Sequence, residues 1–295
     1  MTTIATALAA AQERLSDSAS PRIDAEVLLC HSLGCDRSRL RARPEAELAP
    51  RRRSHFEALI DRRASGEPIA YIVGHRGFHA LELMVTPDVL IPRPETELLV
   101  DTALKALAAR DADSRVLDLG TGCGCIALAI AHGAPDACVT AIERSTAALA
   151  VARANAERLG LTRVVFREGD WLNGLGSQHF DIVVANPPYV ASSDPHLKRG
   201  DLRFEPHEAL VAGSDGLDAI RDIAANVPAQ LAPDGLLAVE HGYDQGSRVR
   251  ELFMAEGLRD VETLVDFGGH PRVTHGRAPR FDGRSWPGSG ARAWR

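Results

Sequence analysis

The sequence contains a loop whose residue types and spacing could bind a ligand. Asp118 precedes three alternate glycines, Gly120, Gly122 and Gly124, directly after a run of apolar residues. Glycines in this position let the backbone turn tightly and let a ligand approach without a Cβ in the way. A tight strand-to-helix turn that binds nothing has the same pattern, so the loop needs support from other residues.

Two downstream segments favour a nucleoside ligand for this loop. Glu143 ends the next apolar run, where its carboxylate could accept hydrogen bonds from both hydroxyls of a ribose. Asp170 and Trp171 follow the run after that, and they offer an acceptor for an exocyclic amine and a ring that can stack on a base. The spacing from Gly120 to Glu143 also suits a dinucleotide cofactor. A solvated charge at a strand end is the plainer interpretation of Glu143.

The order of the glycines favours S-adenosylmethionine over a dinucleotide. The loop is Gly-x-Gly-x-Gly and not Gly-x-Gly-x-x-Gly, and it includes Thr121 between the first two glycines. Asp118 would repel a pyrophosphate, whereas it would attract a ligand that carries an ammonium and a sulfonium.

A second motif, Asn186-Pro187-Pro188-Tyr189, ends the apolar run 180–185. The two prolines fix φ and remove two backbone donors, so the turn is rigid and presents the Asn186 side-chain oxygen and the Pro187 carbonyl as acceptors. This pair could hold both hydrogens of a planar NH₂ group, with the Tyr189 ring against it. Taken alone, such a motif is more often only a turn.

An amide or aromatic amine held in this way could be methylated without a strong general base. Its nitrogen is a weak nucleophile because the lone pair is delocalised. Holding the hydrogens out of plane directs the lone pair at the methyl donor, and such alignment can supply several kcal/mol of the barrier. The sulfonium charge then passes to nitrogen, and the product releases a proton to water.

The segments around these motifs predict an α/β fold. The first 65 residues have the apolar spacing of helices, and residues 71–73 and 81–85 have the composition of short strands in a hairpin. Pro94 is predicted to open a helix that runs to about residue 110. From residue 116 onward, strands alternate with helices, one of them over 217–231, which predicts a parallel sheet covered by helices on both faces.

Charge is distributed unevenly along the 295 residues, whose net charge is −6. Residues 1–80 contain 12 arginines and 10 acidic residues, and residues 270–295 contain 6 arginines and one aspartate, which leaves −13 for residues 81–269. A stretch with this negative charge binds a polyanion poorly, so stable DNA binding is not expected. The two basic ends leave contact with RNA open.

The cysteines and histidines do not predict a metal site. Five cysteines are an odd number in a chain too long to need disulfides, so reduced thiols in a reducing compartment are expected. Cys123 and Cys125 have one intervening residue rather than the two of a usual zinc pair, and His75 and His79 lie on the predicted hairpin. No signal peptide is predicted, and no apolar run approaches the roughly 20 residues that span a bilayer.

The motifs together resemble the HemK/PrmC family, the glutamine-N5 protein methyltransferases that modify peptide-chain release factors. The resemblance covers nearly the whole chain and rests on the glycine loop, the Asn-Pro-Pro-Tyr turn and four further segments, residues 66–74, 90–97, 204–206 and 240–242. Cys123 and Cys125 stand where small residues are usual, and Glu143 replaces the more usual Asp, which bears on cofactor affinity.

The resemblance implies a small N-terminal helical domain over 1–70 that docks the substrate and a β-hairpin linker over 71–93. It implies a seven-stranded, Rossmann-like methyltransferase domain over 94–280, and a disordered tail over 281–295. The implied enzyme transfers a methyl group from S-adenosylmethionine, leaving S-adenosylhomocysteine, to the glutamine amide nitrogen of the release-factor Gly-Gly-Gln motif, which modulates translation termination. A cytoplasmic monomer that binds no membrane is expected.

The site residues implied by the resemblance fall into three groups. The catalytic residues are Asn186, Pro187 and Tyr189. The cofactor-binding residues are Asp118, Gly120, Thr121, Gly122, Gly124, Glu143, Asp170, Trp171 and Asn186. The substrate-binding residues are Asn186, Pro187, Pro188, Tyr189, Arg93 and Glu205.

Two other functions are compatible with the same motifs. A methyltransferase that acts on the amino group of adenine could use the same turn, but it would need a basic face with which to seize and flip a base. A non-catalytic S-adenosylmethionine-binding protein would have no use for a rigid acceptor turn.

Overall fold

A computed structural model describes residues 2–110, 113–173 and 175–280. The tail predicted over 281–295 lies outside the described residues. Contacts divide the chain into two compact units. The first comprises the residues up to His75 and the later segment Pro195–Phe204, and the second comprises Arg76–Asp194 and the residues from Glu205 onward.

The first unit is helical, as the apolar spacing predicts. Its core includes Leu28, Leu29, Phe56 and Ile60, all at most 2% exposed. An ion pair joins the partly buried Arg63 to the buried Asp24 at 2.8 Å. The helices are α1 (Ile4–Arg14), α2 (Pro21–Leu33), α3 (Arg37–Ala42), α4 (Pro50–Ala64) and α5 (Ile69–Val73).

The prediction of a strand over residues 71–73 is wrong, because these residues form the end of α5. Pro68 starts this helix with φ −59°, and Gly74 ends it in the left-handed conformation with φ +80°. The hairpin itself follows directly. Strands β1 (His75–Phe78) and β2 (Leu81–Met84) form a two-stranded sheet, so the predicted strand near 81–85 is confirmed.

The second unit contains a seven-stranded sheet with helices, which confirms the predicted Rossmann-like α/β class. The helices are α6 (Glu97–Ala108), α7 (Cys125–Gly133), α8 (Thr146–Leu159), α9 (Asp218–Asn226) and α10 (Gly246–Ala255). The strands are β3 (Arg115–Leu119), β4 (Cys138–Glu143), β5 (Val165–Glu168), β6 (Phe180–Ala185), β7 (Leu231–Glu240), β8 (Arg259–Val265) and β9 (Pro271–Arg277).

The strand order is β5-β4-β3-β6-β7-β9-β8. The five strands from β5 to β7 are parallel, whereas β9 is antiparallel to both β7 and β8. The predicted parallel sheet is confirmed for these five strands, and β9, near the other edge, runs antiparallel to its neighbours. The short connection between β8 and β9 allows only an antiparallel pair, because a parallel pair needs a crossover of a dozen or more residues.

The predicted helix over 217–231 is too long. Helix α9 ends at Asn226, a 3₁₀ turn occupies Val227–Gln230, and β7 begins at Leu231. Pro228 lacks the backbone donor that a continuing α-helix needs, so the helix gives way to the turn here.

The parallel strands end together at one edge of the sheet. Leu119 is level with Ile142 on one side and with Ala185 on the other, and Glu143 is level with Glu168. The glycine loop, the end of β4 and the Asn-Pro-Pro-Tyr turn therefore leave the sheet side by side, which is where open α/β sheets bind ligands. Among the described residues, no helix is long and apolar enough to cross a membrane.

Candidate active site

A cleft of about 360 Å³ opens at the carboxyl ends of the parallel strands. This volume is within the usual range for small-molecule sites. Half of the predicted site residues line the cleft, namely Gly120, Glu143, Asp170, Trp171, Asn186, Pro187 and Pro188. The two motifs that are 66 positions apart, at Gly120 and Asn186, thus meet in one place.

The glycine loop leaves room for a ligand. Gly120 and Gly122 have φ of +70° and +57°, which disfavours residues with a side chain. A Cβ added at Gly120 would have only the Trp171 ring nearby, at 3.7 Å, and a Cβ added at Gly122 would have no described atom within 4 Å. The space that a side chain would take is therefore open to a bound molecule.

Asp118 stabilises the glycine loop through hydrogen bonds. It is fully buried, and its Oδ2 accepts hydrogen bonds from the Thr121 hydroxyl at 2.5 Å and from the Ala127 backbone at 3.2 Å. Burial raises its pKa to about 7; the two hydrogen bonds oppose this rise, and the charge of Glu143 adds to it. Neither Asp118 nor Thr121 is among the lining residues, so a direct role of either at the cofactor stays a prediction.

Glu143 ties the loop to the end of β4. Its Oε2 accepts from the Gly122 backbone and its Oε1 from the Ser145 backbone, both at 2.9 Å. Each carboxylate oxygen has a further lone pair. Because the residue lines the cleft, these lone pairs fit the vicinal hydroxyls of a ribose. Gly122 itself does not line the cleft, and neither does Gly124, the residue before α7.

The cleft lining is acidic. A single lysine or arginine is among the described lining residues, Arg144, and it pairs with Glu208 at 3.2 Å. Burial and the nearby Asp218 and Asp170 raise the pKa of Asp222. Such a lining suits a cationic ligand and would repel a pyrophosphate. The lining acids are Asp88, Glu143, Asp170, Glu208, Asp218 and Asp222.

The diproline turn presents the two acceptors that its sequence predicts. Asn186 Nδ2 donates to Thr96 Oγ1 at 3.1 Å, which leaves the amide oxygen for another partner. Among the described residues, neither Asn186 Oδ1 nor the Pro187 carbonyl accepts a hydrogen bond. Both are therefore available to the two hydrogens of an NH₂ group.

Tyr189 supports the turn from behind and is not among the lining residues. Its hydroxyl donates to Glu240 Oε1 at 3.2 Å, its carbonyl accepts from Gln245 Nε2 at 3.0 Å, and its ring packs against the core. Burial, with the nearby charge of Glu240, raises the pKa of this phenol. A contact between the ring and the substrate amide stays a prediction.

Arg93 and Glu205 form an ion pair, and neither is among the lining residues. The Glu205 side chain is fully buried and also accepts from the Ile91 backbone at 3.1 Å. This pair fixes the connector before α6 to the segment that begins at Glu205. Their assignment to substrate binding stays a prediction.

Several cleft residues were not predicted from the sequence. Asp218 and Asp222 are four positions apart at the start of α9, a helical spacing that could have placed both on one face. The segment around Pro206 and Val211 has no such periodicity. It reaches the cleft through an isolated bridge between Val190 and Val211, which only the three-dimensional structure reveals.

Comparisons with known proteins cover both units. Residues 6–74 match the family model of the PrmC N-terminal domain, and residues 94–201 match that of the methyltransferase small domain. The chain is 51% identical over 274 residues to a release factor glutamine methyltransferase of Xylella fastidiosa, over 93% of this chain and 98% of the relative. A Pseudomonas aeruginosa protein of the same description is 52% identical over 277 residues, 94% and 99% of the two chains. A methyltransferase structure from Pyrococcus furiosus shares the fold, with TM-score 0.51, 18% identity and coverage of 77% and 99%.

Proposed function

The chain belongs to the release factor glutamine methyltransferase family, which confirms the resemblance, and we propose that it methylates the glutamine of the Gly-Gly-Gln motif in peptide-chain release factors. The methyl group comes from S-adenosylmethionine and the acceptor is the side-chain amide nitrogen. The observation that carries this proposal is the pair of free acceptors, Asn186 Oδ1 and the Pro187 carbonyl, in the same cleft as Glu143 and Gly120.

The residues of the cleft fit S-adenosylmethionine. Glu143, Asp170 and Trp171 line the cleft, which supports roles for Glu143 at the ribose hydroxyls and for the other two at the base, and the acidic lining favours the ammonium and sulfonium charges. When bound, the cofactor supplies an electrophilic methyl group. The open space over Gly120, which lines the cleft, leaves room for it.

The turn prepares the substrate nitrogen for attack. Asn186 Oδ1 and the Pro187 carbonyl accept the two amide hydrogens and hold them away from the plane of conjugation, so the nitrogen lone pair can point at the methyl group. S-adenosylmethionine, when bound, would supply the methyl group to this lone pair, while Asn186 Oδ1 and the Pro187 carbonyl hold the nitrogen in place and its excess proton passes to water. The rigidity of the two prolines keeps this geometry without a moving part.

The acidic cleft also favours a release-factor glutamine, and not adenine in DNA, as the substrate. Residues 81–269 carry −13, so stable DNA binding is not part of the proposal. We assign substrate docking to residues 1–70, a linker that contains the hairpin to 71–93 and catalysis to 94–280. A monomer in the cytoplasm suits a release-factor substrate, and all five cysteines are free thiols.

Incubation with S-adenosylmethionine and a purified release factor, followed by peptide mass spectrometry, tests the proposal. One added methyl group on the motif glutamine is expected. Asn186→Ala should lower turnover by roughly 100-fold or more while the Kd for S-adenosylhomocysteine changes by no more than about threefold.

Asn226→Ala is the matched control, because this asparagine lies at the end of α9 and is not among the lining residues. Its turnover should equal that of the unaltered protein. Methyl label on an adenine oligonucleotide, with none on the release factor, would move the assignment to adenine. Unchanged turnover in Asn186→Ala would refute the role given to the turn.

A further inference from the structure

Gln245 is a buried polar residue that the mechanism above does not use, and its side chain joins three segments beside the cleft. It directly precedes α10 and is 7% exposed. Its Oε1 accepts from the Gly242 backbone at 2.8 Å, and its Nε2 donates to the Tyr189 carbonyl at 3.0 Å. The carbonyls of Asp215 and Gly216 also accept from this nitrogen, both at 3.4 Å. One amide group therefore connects the turns that follow β6 and β7 with the loop that leads into α9.

The orientation of the Gln245 amide follows from its partners. The two ends of such an amide have nearly the same shape, so the hydrogen-bond partners decide which end is the oxygen. All four partners of Gln245 are backbone groups, whose roles are fixed because an N–H only donates and a carbonyl only accepts. The reverse orientation would place the oxygen against three carbonyl oxygens and the NH₂ group against the Gly242 N–H. Gln245 is therefore the donor to the Tyr189 carbonyl.

The diproline turn needs such a donor from outside its own backbone. Pro187 and Pro188 have no N–H, so neither can donate to the sheet or to a neighbouring loop. The end of β6 holds the beginning of the turn, and the hydrogen bond from Gln245 holds its end at Tyr189. The Pro187 carbonyl lies between these two points, so its position depends on both.

Gly242 ties Gln245 to the centre of the sheet. It lies two residues after β7, a strand that pairs with β6 on one side and with β9 on the other. The Gly242 carbonyl accepts from the Gln245 backbone at 2.9 Å and from His241 Nδ1 at 2.8 Å. The fully buried His241 bonds Thr274 of β9 through Nε2 at 2.8 Å. The group that receives the Gly242 N–H is thus fixed relative to the strands.

The loop before α9 encloses the same amide from the other side. A Cβ added at Gly216 would clash with the Tyr189 carbonyl oxygen and would lie 2.9 Å from Gln245 Nε2, so the three groups are closely packed. Asp218, the first residue of α9, lines the cleft. Gln245 therefore sets the diproline turn against both β7 and the loop that enters the acidic lining.

We propose that Gln245 is a positioning residue, which fixes the end of the diproline turn so that the Pro187 carbonyl and Asn186 Oδ1 meet the two hydrogens of the substrate amide. This inference rests on the proposed function, because it assumes that these two oxygens accept the substrate hydrogens. Gln245 is not among the residues that line the cleft, so it acts through the turn. A displacement of about 1 Å can cost about 100-fold in rate, so a small shift of the turn is measurable.

Two substitutions of similar size test the proposal. Gln245→Met removes the hydrogen bonds of the side chain, whereas Gln245→Glu keeps an acceptor for Gly242 and replaces the donor to Tyr189 by a second acceptor. In both variants kcat for release-factor methylation should fall by roughly 10- to 100-fold, while KM for the release factor and the Kd for S-adenosylhomocysteine stay within about threefold.

Gln230→Met is the matched control. Gln230 Nε2 also donates to a backbone carbonyl, that of Gly176 at 3.4 Å, but this glutamine directly precedes β7 and so lies at the opposite end of that strand from Gly242. Its kcat should equal that of the unaltered enzyme.

The pH dependence of Gln245→Glu separates loss of the donor from loss of packing. Burial among carbonyl oxygens raises the pKa of the introduced carboxyl group, and its protonated form can again donate to Tyr189. The ratio of its kcat to that of the unaltered enzyme should rise by at least about fivefold from about pH 8 to about pH 6, whereas the ratio for Gln245→Met stays constant. The titratable and charged groups of the neighbouring segments occur in all these proteins and cancel in the ratios; they are Asp215, Arg221, Glu240, His241, Asp244 and Arg248.

The outcomes separate this inference from the proposed function. If the unaltered protein transfers no methyl group to the release factor, the proposed function fails and the inference falls with it. If Asn186→Ala loses turnover while both Gln245 variants retain it, the function stands and the positioning role is refuted. If both variants lose S-adenosylhomocysteine binding together with turnover, or if Gln245→Glu does not recover at low pH, Gln245 supports the fold and not the turn, and the inference is likewise refuted.

Discussion

Glu240→Gln should flatten the dependence of stability on pH. In the folded chain, burial raises the pKa of Glu240 from 4.5 to about 7. Between these two values the folded state holds a proton that the unfolded state has lost, so the free energy of unfolding falls as pH rises through this window. This loss of stability, which comes from burying the ionised Glu240 carboxylate, is fully present above about pH 7 and absent below about pH 4.5.

The size of the effect follows from the same two values. From about pH 5.5 to about pH 7.5, Glu240 alone removes about 2 kcal/mol from the free energy of unfolding. Glutamine cannot titrate, so the variant should lack that portion of the decline. Tyr189 and Arg272 face Glu240 and Glu95 is nearby, but all three are present in both proteins, as is the buried Asp118.

Urea unfolding followed by far-UV circular dichroism at the two pH values measures the difference. The quantity to compare is the change with pH in each protein, because the glutamine amide adds its own constant cost of burial. Glu251→Gln, an exposed glutamate on α10, is the matched control and should follow the unaltered protein. Parallel pH dependences for the unaltered protein and Glu240→Gln would refute the reasoning.

Two further substitutions have outcomes that the structure predicts. Gly216→Ala would place a Cβ 2.3 Å from the Tyr189 carbonyl oxygen, at a φ of +74°. The control is Gly160→Ala, which has a similar φ of +69° but whose Cβ would meet no described atom within 4 Å. Gly216→Ala should therefore lower the free energy of unfolding by at least about 2 kcal/mol more than the control does. Equal losses in urea unfolding would contradict this clash. Asn155→Ala removes bonds to both backbone groups of Met84 and to the glycine loop, and should cost about 3 kcal/mol and weaken S-adenosylhomocysteine binding in calorimetry. An unchanged unfolding midpoint would contradict it.

Local sequence signals were sufficient for most elements of the sheet unit. Strand β6 coincides with the apolar run 180–185, because Asn186 and Pro187 end the strand. The incorrect strand prediction over residues 71–73 also has a local cause. Residues 71–73 have side chains typical of strands, but Pro68 and Gly74 bound them as one helical turn that buries Ala70 and Tyr71.

The site was predictable in part. A motif at the end of a parallel strand must lie at the carboxyl edge, so the glycine loop, Glu143 and Asn186 could be brought together from sequence. The partner of Asn186 could not. Thr96 lies 90 positions before it, and no spacing rule joins residues so far apart.

The first unit is discontinuous in sequence, and this limits how the gene could be shortened. Pro195–Phe204 is encoded between two portions of the sheet unit but belongs with the helices, where Arg63 pairs with Asp201 at 3.1 Å and Arg203 bonds the Ser65 carbonyl at 2.7 Å. Deleting the residues before Arg76 would remove Arg63 and Ser65, to which Asp201 and Arg203 of this segment bind. A fragment that begins at Arg76 would therefore retain Pro195–Phe204 without its partners. Separate expression of the two units would also require removal of the segment between Asp194 and Glu205.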